Sequence, residues 1–467
     1  MLSRTRRAPL LLTASAALLT LYAAAPFAHA QQPRRYVVTD LGAFNVSAVN
    51  DSGKAVGSAG NRAVFYSGGV LGDVTPPDSV SAAANDINNS ARVVGDAIYC
   101  DLVNGNHVNC RTRAFVYEGG TFTVLGTLGG RDSHATSVND AGQIFGYSDT
   151  PGPAPDIPGA QHAFIYKDGV FQDIGAQFGA LSSYAFAGNN PGQAAGFAAN
   201  SGAYVYTGGA FKFFRQDATA HGMNDTGHVV GVFARDDTGA GRAFFYDGAT
   251  VKDLGTLSAG FRFSRARAVN DSDQIVGESS PSFFFPGSER AFLYEGGAMR
   301  DLNDLVAPAS GRLLQIATAV NDAGQIACNG KLEGSDHAFL LTPLGAPALA
   351  TDADSQRALA FDSVTLRRDP FTLQTAHNFS ADQRTRVLLL ARGVELAPGE
   401  DASAVAVRAE DAQRRIFMLP VESVRPLRGF EWLTQIVVRL PDELAGTVRI
   451  SFTLRGVQSN EATLVVK

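Results

Sequence analysis

The chain has 467 residues, of which 45% are hydrophobic and 18% charged, and its net charge at pH 7 is −6. This length exceeds one ordinary domain. The acidic balance excludes nucleic acid as an expected partner, because phosphates require a net basic face.

The first 30 residues have the composition of a secretory signal. Three arginines precede an apolar stretch that starts near Leu10, and Ala28-His29-Ala30 forms a small-x-small cleavage site. A membrane anchor is the alternative, but hydroxyl residues interrupt the stretch and it is short for a span. We therefore predict a signal peptide over residues 1–30 and a secreted protein, extracellular or periplasmic, with no membrane span after cleavage.

A short turn motif recurs along the next 300 residues. Near-copies of "AVNDAGQI" include "SVNDAGQI", "AVNDSDQI" and "GMNDTGHV". In each copy, the small residue that closes the next strand lies seven positions after the asparagine. The asparagines are Asn50, Asn88, Asn139, Asn189, Asn224, Asn270 and Asn321. Two apolar segments around an Asn-Asp-x-Gly turn indicate a β-hairpin.

A second motif, typified by "RAFVYEGG" and "RAFLYEGG", also occurs seven times. Its β-branched and aromatic residues flank Gly-Gly or Asp-Gly, which indicates another hairpin. The copies begin at Arg62, Arg113, His162, Gly202, Arg242, Arg290 and His337. Two hairpins per repeat give a four-stranded sheet, and such sheets repeated at this interval are typical of a β-propeller.

The ends of the repeat region predict a closed ring. "YVVTDLG", residues 36–42, has the pattern of a fourth strand, and "HAFLLTP", residues 337–343, that of a third strand. Together they complete one sheet and remove two exposed edges. We predict a seven-bladed β-propeller of four-stranded blades over residues 36–345. A solenoid is the rival fold, but it would not need a split terminal repeat.

The motifs resemble those of the HAF-repeat family, bacterial extracellular proteins named for a His-Ala-Phe tripeptide. The similarity rests on "HAFIY", "DIG", "TLGG" and "VNDAGQIFG" and covers residues 36–343. The histidine is kept at His162 and His337, whereas four copies have arginine and one has Gly202. The resemblance implies export and a propeller-like repeat rather than a particular reaction.

The long connections of the repeats all emerge on one face, which we take as the binding surface. "SSPSFFFPGSER" and "SAGFRFSR" place aromatic residues in two of these connections, where they are candidates for stacking on sugar rings: Phe261, Phe263, Phe283, Phe284 and Phe285. The alternative is that these rings pack the loops onto the barrel.

The first residue of the second motif forms a partial basic ring beneath these loops. Its members are candidates for binding an anion or a uronic acid: Arg62, Arg113, His162, Arg242, Arg290 and His337. The alternative role is in ion pairs with repeat carboxylates such as Asp253 or Asp301.

Catalytic and metal-binding patterns are scarce. The Asn-Asp-x-Gly turns offer two polar residues, fewer than a calcium loop requires. The histidines are scattered without zinc-ligand spacing, and no Gly-x-Ser-x-Gly elbow occurs. We predict no cofactor, no metal and no catalytic residue. A propeller can also assemble an active site from distant loops, so an enzyme is the alternative to a non-catalytic protein.

Three cysteines occur in the chain. Cys100 and Cys110 lie symmetrically about Gly105 in the longest insertion, so an extended hairpin places them opposite each other. In an oxidising compartment we expect a disulfide between them. Cys328 replaces the closing glycine of the last repeat and is expected to be a buried small residue, with an intermolecular bond as the alternative.

The C-terminal part has a different pattern. Residues 346–360 are rich in alanine and small polar residues, and we predict a linker there. Residues 361–467 contain about seven short segments with alternating apolar residues, including "SVTLRR", "RIFMLPVESV" and "TVRISFTLRG". They predict an immunoglobulin-like β-sandwich, and the ending resembles C-terminal modules of bacterial surface proteins.

The leading functional hypothesis is an exported, non-enzymatic binding or scaffolding protein. It recognises an extracellular polysaccharide or surface protein through the long-loop face. The alternatives are a polysaccharide-acting hydrolase or lyase that uses the same face, and a structural spacer at the cell surface.

Overall fold

The computed structural model describes residues 36–153, 157, 159–234, 240–281, 287–306, 311–345, 348–352, 356–374, 382–394, 396, 400–428, 430–454 and 457–467. Within these ranges, no helix has both the length and the apolar character that a membrane crossing requires. The signal peptide predicted at residues 1–30 lies outside the described residues.

Seven four-stranded antiparallel sheets occupy residues 36–343 of the described chain. The strands, in chain order, are β1 Tyr36–Gly42; β2 Asn45–Val49, β3 Ala55–Ala59, β4 Arg62–Ser67 and β5 Val70–Asp73 (sheet 1); β6 Ser81–Ile87, β7 Val93–Val103, β8 Asn106–Glu118 and β9 Thr121–Val124 (sheet 2); β10 Ser133–Val138, β11 Ile144–Asp149, β12 Gln161–Lys167 and β13 Val170–Asp173 (sheet 3); β14 Ser183–Gly188, β15 Ala194–Ala198, β16 Gly202–Thr207 and β17 Ala210–Arg215 (sheet 4); β18 Ala218–Met223, β19 Val229–Ala234, β20 Gly241–Tyr246 and β21 Val251–Gly255 (sheet 5); β22 Phe263–Val269, β23 Ile275–Ser280, β24 Arg290–Glu295 and β25 Ala298–Asp301 (sheet 6); and β26 Arg312–Val320, β27 Ile326–Leu332 and β28 Ser335–Pro343, which form sheet 7 together with β1.

The sheets form a closed ring. β1 pairs antiparallel with β28, from Tyr36 opposite Pro343 to Gly42 opposite Ala338. The first strand of each sheet contacts the first strands of the sheets before and after it, and β26 contacts β2. The first strands therefore surround a common axis. The all-β class is confirmed, and the ring of sheets is a β-propeller fold.

A steric constraint explains the glycine that closes the second strand of most repeats. In sheet 6 a Cβ at Gly277 would lie 1.9 Å from the carbonyl oxygen of Arg265 on the adjacent strand. Sheet 7 has Cys328 at this position, and it also has a second bulge in β26. There the tight position moves to Gly330, whose Cβ would lie 2.0 Å from the carbonyl oxygen of Leu313.

The second repeat motif supplies the core of the ring. Its alanine is fully buried in each sheet, and the next residue is buried as well, so both fill the space between neighbouring sheets. The buried residues that follow the alanine are Val64, Phe115, Phe164, Tyr204, Phe244, Phe292 and Phe339.

The longest insertion extends strands β7 and β8 into a protruding hairpin. The two strands continue their pairing to Val103 opposite Asn106. Cys100 and Cys110 form a disulfide across the hairpin, as predicted. Cys328 is buried and carries a free thiol.

The C-terminal region contains two five-stranded sheets among the described residues. Residues from both sheets, including Val387, Ile436 and Phe452, form one apolar core. Sheet 8 comprises β29 Ala348–Leu349, β30 Ala360–Asp362, β31 Arg386–Arg392, β34 Val421–Leu427 and β35 Phe430–Arg439; sheet 9 comprises β32 Val405–Glu410, β33 Ile416–Leu419, β36 Gly446–Leu454, β37 Val457–Gln458 and β38 Ala462–Val466. Short 3₁₀ helices lie at Ala176–Phe178, Leu302–Leu305 and Ala402–Ala404.

Two sequence-based expectations for this region need correction. The linker predicted at 346–360 contributes β29 and the start of β30, and Leu349 and Ala358 are buried in the C-terminal core. The segment "SVTLRR" forms a turn instead of a strand, since the Asp362 carboxylate accepts hydrogen bonds from the N–H groups of Val364 and Thr365.

The segment "RIFMLPVESV" forms two strands. β33 belongs to sheet 9 and β34 to sheet 8, and Pro420 lies between them. Proline has no N–H to donate to a ladder, which favours a break at this point.

Candidate functional site

Large side chains on the inner strands of sheets 3 to 6 meet around the axis. They lie near the starts of the first strands, which is the end where the second-to-third connections emerge. We call them the axial cluster: His134, Tyr147, Tyr184, Phe186, His221, Arg265, Arg267 and Glu278. All except Glu278 are partly exposed although strands surround them, and we call the space that they face the axial channel.

A run of rings forms one half of the axial cluster. The His134 ring stacks on Tyr147 at a centroid distance of 4.6 Å, and Tyr147 meets the Tyr184 ring edge-on at 5.0 Å. Phe186 lies parallel to Tyr184 at 5.8 Å and 6.4 Å from His221. The run crosses from sheet 3 through sheet 4 to sheet 5. It gives the channel a continuous aromatic wall.

Charged residues of sheet 6 form the other half. Arg267 binds the Glu278 carboxylate through Nε at 2.6 Å and Nη2 at 3.0 Å. Arg265 Nε lies 3.7 Å from the same carboxylate, beyond hydrogen-bond distance. The Glu278 side chain is only 5% exposed, whereas those of Arg265 and Arg267 are 29% and 32% exposed. The guanidinium groups therefore reach the channel while the glutamate stays behind them.

Small side chains line the rest of the wall. The one-residue bulge in each first strand places Phe186, His221 and Arg267 at equivalent positions. Sheets 1, 3 and 7 have Ser47, Thr136 and Thr318 at this position, and sheet 2 has Asn85.

The pKa values of the two histidines in the axial cluster are shifted in opposite directions. Burial, assisted by the charge of Arg265, lowers the pKa of His221 to about 4. Its Nδ1 lies 3.3 Å from the carbonyl oxygen of Ala266, so Nδ1 carries the proton and Nε2 is an acceptor. Burial also lowers the pKa of His134, but the hydrogen bond and charge of Asp96 outweigh this effect and raise it overall.

Tyr147 remains a neutral phenol over the physiological pH range. Burial raises the pKa of its hydroxyl group to about 12, and the charge of Asp96 acts in the same direction. The tyrosine ring therefore contributes contact area and a hydroxyl group rather than a charge.

The turn asparagines form a closed hydrogen-bonded circle at the other end of the axis. The Nδ2 of each one donates to the backbone carbonyl of the asparagine in the next sheet, at 2.8–3.0 Å. Each Oδ1 also accepts the backbone N–H four residues later, for example that of Gln325 on Asn321 at 2.7 Å. The repeated motif is thus explained by contacts between successive turns.

The residues after these asparagines form a second circle. Each backbone N–H donates to the side chain of its neighbour in the next sheet. The members are Asp51, Asn89, Asp140, Asn190, Asp225, Asp271 and Asp322. The two circles and the apolar residues before them line a cavity of about 170 Å³. No group of three or more His, Cys, Asp or Glu residues in the described part of the chain is arranged to hold a metal ion.

Three residues of the predicted basic ring form ion pairs within their own sheets. Arg62 pairs with Asp73 at 3.2 Å, His162 with Asp173 at 2.9 Å and His337 with Asp40 at 2.9 Å. Each of these carboxylates belongs to the neighbouring strand of the same sheet. The contacts supply the alternative role considered above, in which the ring residues form ion pairs within the repeat.

The remaining ring residues contact the backbone or a surface groove. Arg113 donates to the carbonyl groups of Thr112 and Arg131, and Arg290 donates to that of Glu289. Arg242 lines an open groove beside Lys252 and Tyr294, where its Nε has no hydrogen-bond partner among the described residues. Asp253 and Asp301, the expected carboxylate partners, accept N–H groups two residues later in the chain, from Gly255 and Asn303.

The predicted aromatic residues have different positions. Phe263 begins β22 and is buried with 7% exposure, against the expectation of a ring in an exposed loop. Its ring packs beside Gly241, where only a glycine leaves room. Phe261 lies in the connection before β22 and is partly buried. Phe283, Phe284 and Phe285 lie outside the described residues.

Sequence reasoning missed the axial cluster because it depends on ring closure. A signal was nevertheless present in the first strands. At the bulge position, where sheets 1, 2, 3 and 7 have Ser47, Asn85, Thr136 and Thr318, "SYAFAG" has Phe186 and "FSRARAV" has Arg267. Large residues in a strand position that is otherwise small would have identified the wall of the channel.

Comparison with known proteins gives a fold likeness alone. No family model and no curated protein matches the chain. Acylaminoacyl peptidase from Pyrococcus horikoshii is 11% identical, with a TM-score of 0.38 over 61% of this chain and 50% of that chain. The β-propeller domain of the Trilobed protease from Pyrococcus furiosus is 8% identical, with a TM-score of 0.39 over 67% of this chain and 100% of that chain. A putative gluconolactonase is 11% identical, with a TM-score of 0.33 over 67% of this chain and 93% of that chain. The chain thus spans about half the length of the peptidase.

Proposed function

We propose that the protein is an exported binding protein that holds an extracellular glycan at the long-loop end of its axial channel, without cleaving it. The binding domain in this proposal is a seven-bladed β-propeller of the HAF-repeat type. It is followed by an immunoglobulin-like sandwich that acts as a spacer or attachment module.

The observation that carries the proposal is the aromatic wall formed by Tyr147, Tyr184 and Phe186. Flat rings suit the apolar faces of pyranose sugars, and partly exposed rings on rigid inner strands lose little conformational entropy on binding. The neighbouring His221 and Arg265 supply an acceptor and donors for sugar hydroxyl groups. Such a mixture of apolar surface and a few directed polar groups is typical of a ligand site.

The protonation states of His221 and Tyr147 support a binding role rather than acid–base catalysis by these two residues. A general acid or base is most effective when its pKa lies near the working pH. The pKa of His221 is about 4 and that of Tyr147 is about 12, so neither group exchanges a proton readily near neutral pH. Glu278 is buried behind Arg267, which occupies its carboxylate.

Two features support export. The first 30 residues have the composition of a secretory signal, and the Cys100–Cys110 disulfide suits an oxidising compartment. The short repeats, the closed ring and the four strands in each sheet support the seven-bladed assignment. The single apolar core shared by sheets 8 and 9 supports the sandwich assignment.

The test is a titration of the purified protein with a panel of soluble polysaccharides, monitored by calorimetry and by the release of reducing sugar. We expect saturable binding of at least one polymer and no release of sugar. Phe186→Ser should weaken this binding by about tenfold, since it removes one face of the aromatic wall. Serine is tolerated at the equivalent position of sheet 1, Ser47, so the variant should fold.

The matched control is Phe213→Ser. Phe213 is 39% exposed on β17, the outer strand of the same sheet, and should leave binding unchanged. Equal loss in both variants would contradict the channel as the binding site. Released sugar would support the hydrolase or lyase alternative, and the absence of any binding would support the spacer alternative.

A further inference from the structure

Arg265 is an unsatisfied cation in the wall of the channel. It makes no hydrogen bond to any residue that the structure describes, and its Nε is buried. Its contacts are the Glu278 carboxylate at 3.7 Å and the face of the Phe263 ring at 5.4 Å. A buried guanidinium N–H without an acceptor is costly, so its retention needs a reason.

The neighbouring residues compensate the positive charge of Arg265 only in part, since Arg265 shares one carboxylate with Arg267. Arg267 forms both of the hydrogen bonds to Glu278, so one arginine and one carboxylate already neutralise each other. The next group along the wall, His221, is a neutral imidazole. Burial lowers the pKa of Arg265, and the charge of Arg267 adds to this effect, while the charge of Glu278 opposes it without cancelling it.

We propose that Arg265 binds the carboxylate of an acidic saccharide whose sugar ring lies against Tyr184 and Phe186. This inference rests on the proposed glycan-binding function and narrows its ligand class to uronic-acid glycans. The planar fork of a guanidinium group matches a carboxylate in a bidentate arrangement. The His221 ring lies 6.4 Å from Phe186 and within range of the Arg265 charge, and its Nε2 is available to accept a hydrogen bond from a hydroxyl group next to the carboxylate.

The geometry favours a single carboxylate over a polyphosphate or a nucleic acid. Only one guanidinium of the axial cluster makes no hydrogen bond to a carboxylate, and the chain carries a net charge of −6. A dense polyanion would be repelled by this background, whereas a spaced uronic acid presents one charge for each sugar ring.

The experiment compares matched ligands. Oligomers of galacturonate, glucuronate and mannuronate are titrated into the protein by calorimetry, each beside its methyl ester. The ester keeps the sugar ring and removes the charge. We expect at least one acid to bind about ten- to a hundredfold more tightly than its ester, the range expected for hydrogen bonds to a charged group.

Arg265→Gln should abolish this preference, because Glu278 keeps its bonds to Arg267 and the fold is retained. Arg265→Lys keeps the charge without the fork and should retain part of the preference, which provides a second readout if the glutamine variant unfolds. Arg62→Gln is the control, since Arg62 is exposed and paired on an outer part of sheet 1.

The outcomes separate the two proposals. Equal binding of acids and esters, or a preference that survives Arg265→Gln, overturns the carboxylate site and leaves glycan binding intact. The absence of binding to every charged and neutral glycan overturns both.

Discussion

Asn321 donates from Nδ2 to the backbone carbonyl of Asn50 at 2.8 Å, although 271 residues separate them in the chain. The contact has the same geometry as the six links between successive asparagines, so the end of the repeat region is joined to its start as one sheet is joined to the next. The hydrogen bond between the last and first turns is therefore equivalent to those between turns that follow each other in the chain.

Replacing Asn321 tests this circle. Asn321→Ala removes the bond to Asn50 and those to the side chain and backbone N–H of Gln325. Because buried partners are left unsatisfied, we expect a loss of about 1–3 kcal/mol in the free energy of unfolding. Asn106→Ala at the exposed hairpin tip should change it by less than about 0.5 kcal/mol. Chemical denaturation followed by circular dichroism measures both, and similar losses would contradict the role of the circle.

The glycine of the second strand gives a steric prediction. Gly277→Ala places a methyl group against the carbonyl oxygen of Arg265 and should cost more than about 2 kcal/mol or prevent folding. At Gly72 the nearest atom would lie 3.6 Å away, an ordinary contact. Gly72→Ala should therefore leave the midpoint of thermal unfolding nearly unchanged. A Gly277→Ala variant as stable as Gly72→Ala would show that the inner strands can shift.

Asp86 gives a prediction on pH. Burial raises the pKa of its carboxyl group from 3.8 to about 6, although the N–H groups of Val138 and Ile87 donate to it. The folded protein therefore holds this proton more tightly than the unfolded chain. The stabilisation is present in full below pH 3.8 and is lost as the pH rises through 6.

The variant Asp86→Ala isolates this effect, because Ala48 occupies the equivalent place in sheet 1. The free energy of unfolding of the wild type relative to the variant should fall by about 1–2 kcal/mol between pH 4 and pH 7. Urea titrations at several pH values measure it. A difference that stays constant over this range would mean that the carboxyl group titrates alike in both states.

The state of the three cysteines predicts how many thiol groups react with a thiol reagent. Cys100 and Cys110 are paired, and Cys328 is buried, where desolvation raises the pKa of its thiol. A thiol reagent should find no reactive group in the folded protein, one after unfolding without reductant and three after reduction. Rapid reaction of Cys328 in the folded state, or dimers linked through it, would contradict its burial between the sheets.

Much of the fold could be predicted because each repeat specifies local structure. Asn-Asp-x-Gly turns, Gly-Gly hairpins and alternating apolar residues defined the strands, and the split repeat indicated that β1 pairs with β28. The boundary of the C-terminal region was harder. The alanine-rich segment that contains Ala358 and Ala360 resembles a linker in sequence, yet both alanines are buried in the C-terminal core.

The candidate site was less predictable for a physical reason. A strand pattern tells which residues alternate, but not which of two sheet faces opens into an axial channel. His134 and Tyr147 come from separate strands, and the contacts of Tyr147 with Tyr184 and Phe186 depend on the angle between neighbouring sheets. The predicted anion-binding residues share a conspicuous repeat position, and at that position Arg62 and His337 pair with carboxylates of their own sheets.

The pairing of β1 with β28 also determines the order in which the sheets can form. Sheets 1 to 6 contain only strands that are near neighbours in the chain, so they can form as soon as each repeat is available. Sheet 7 cannot be completed until residue 343 reaches the strand that begins at residue 36. An unfinished chain therefore keeps two open edges, at β1 and β28, and its last step is a search between distant ends. A competing strand that captures either edge before that encounter would keep the ring open, so the split sheet is where misassembly is most easily started.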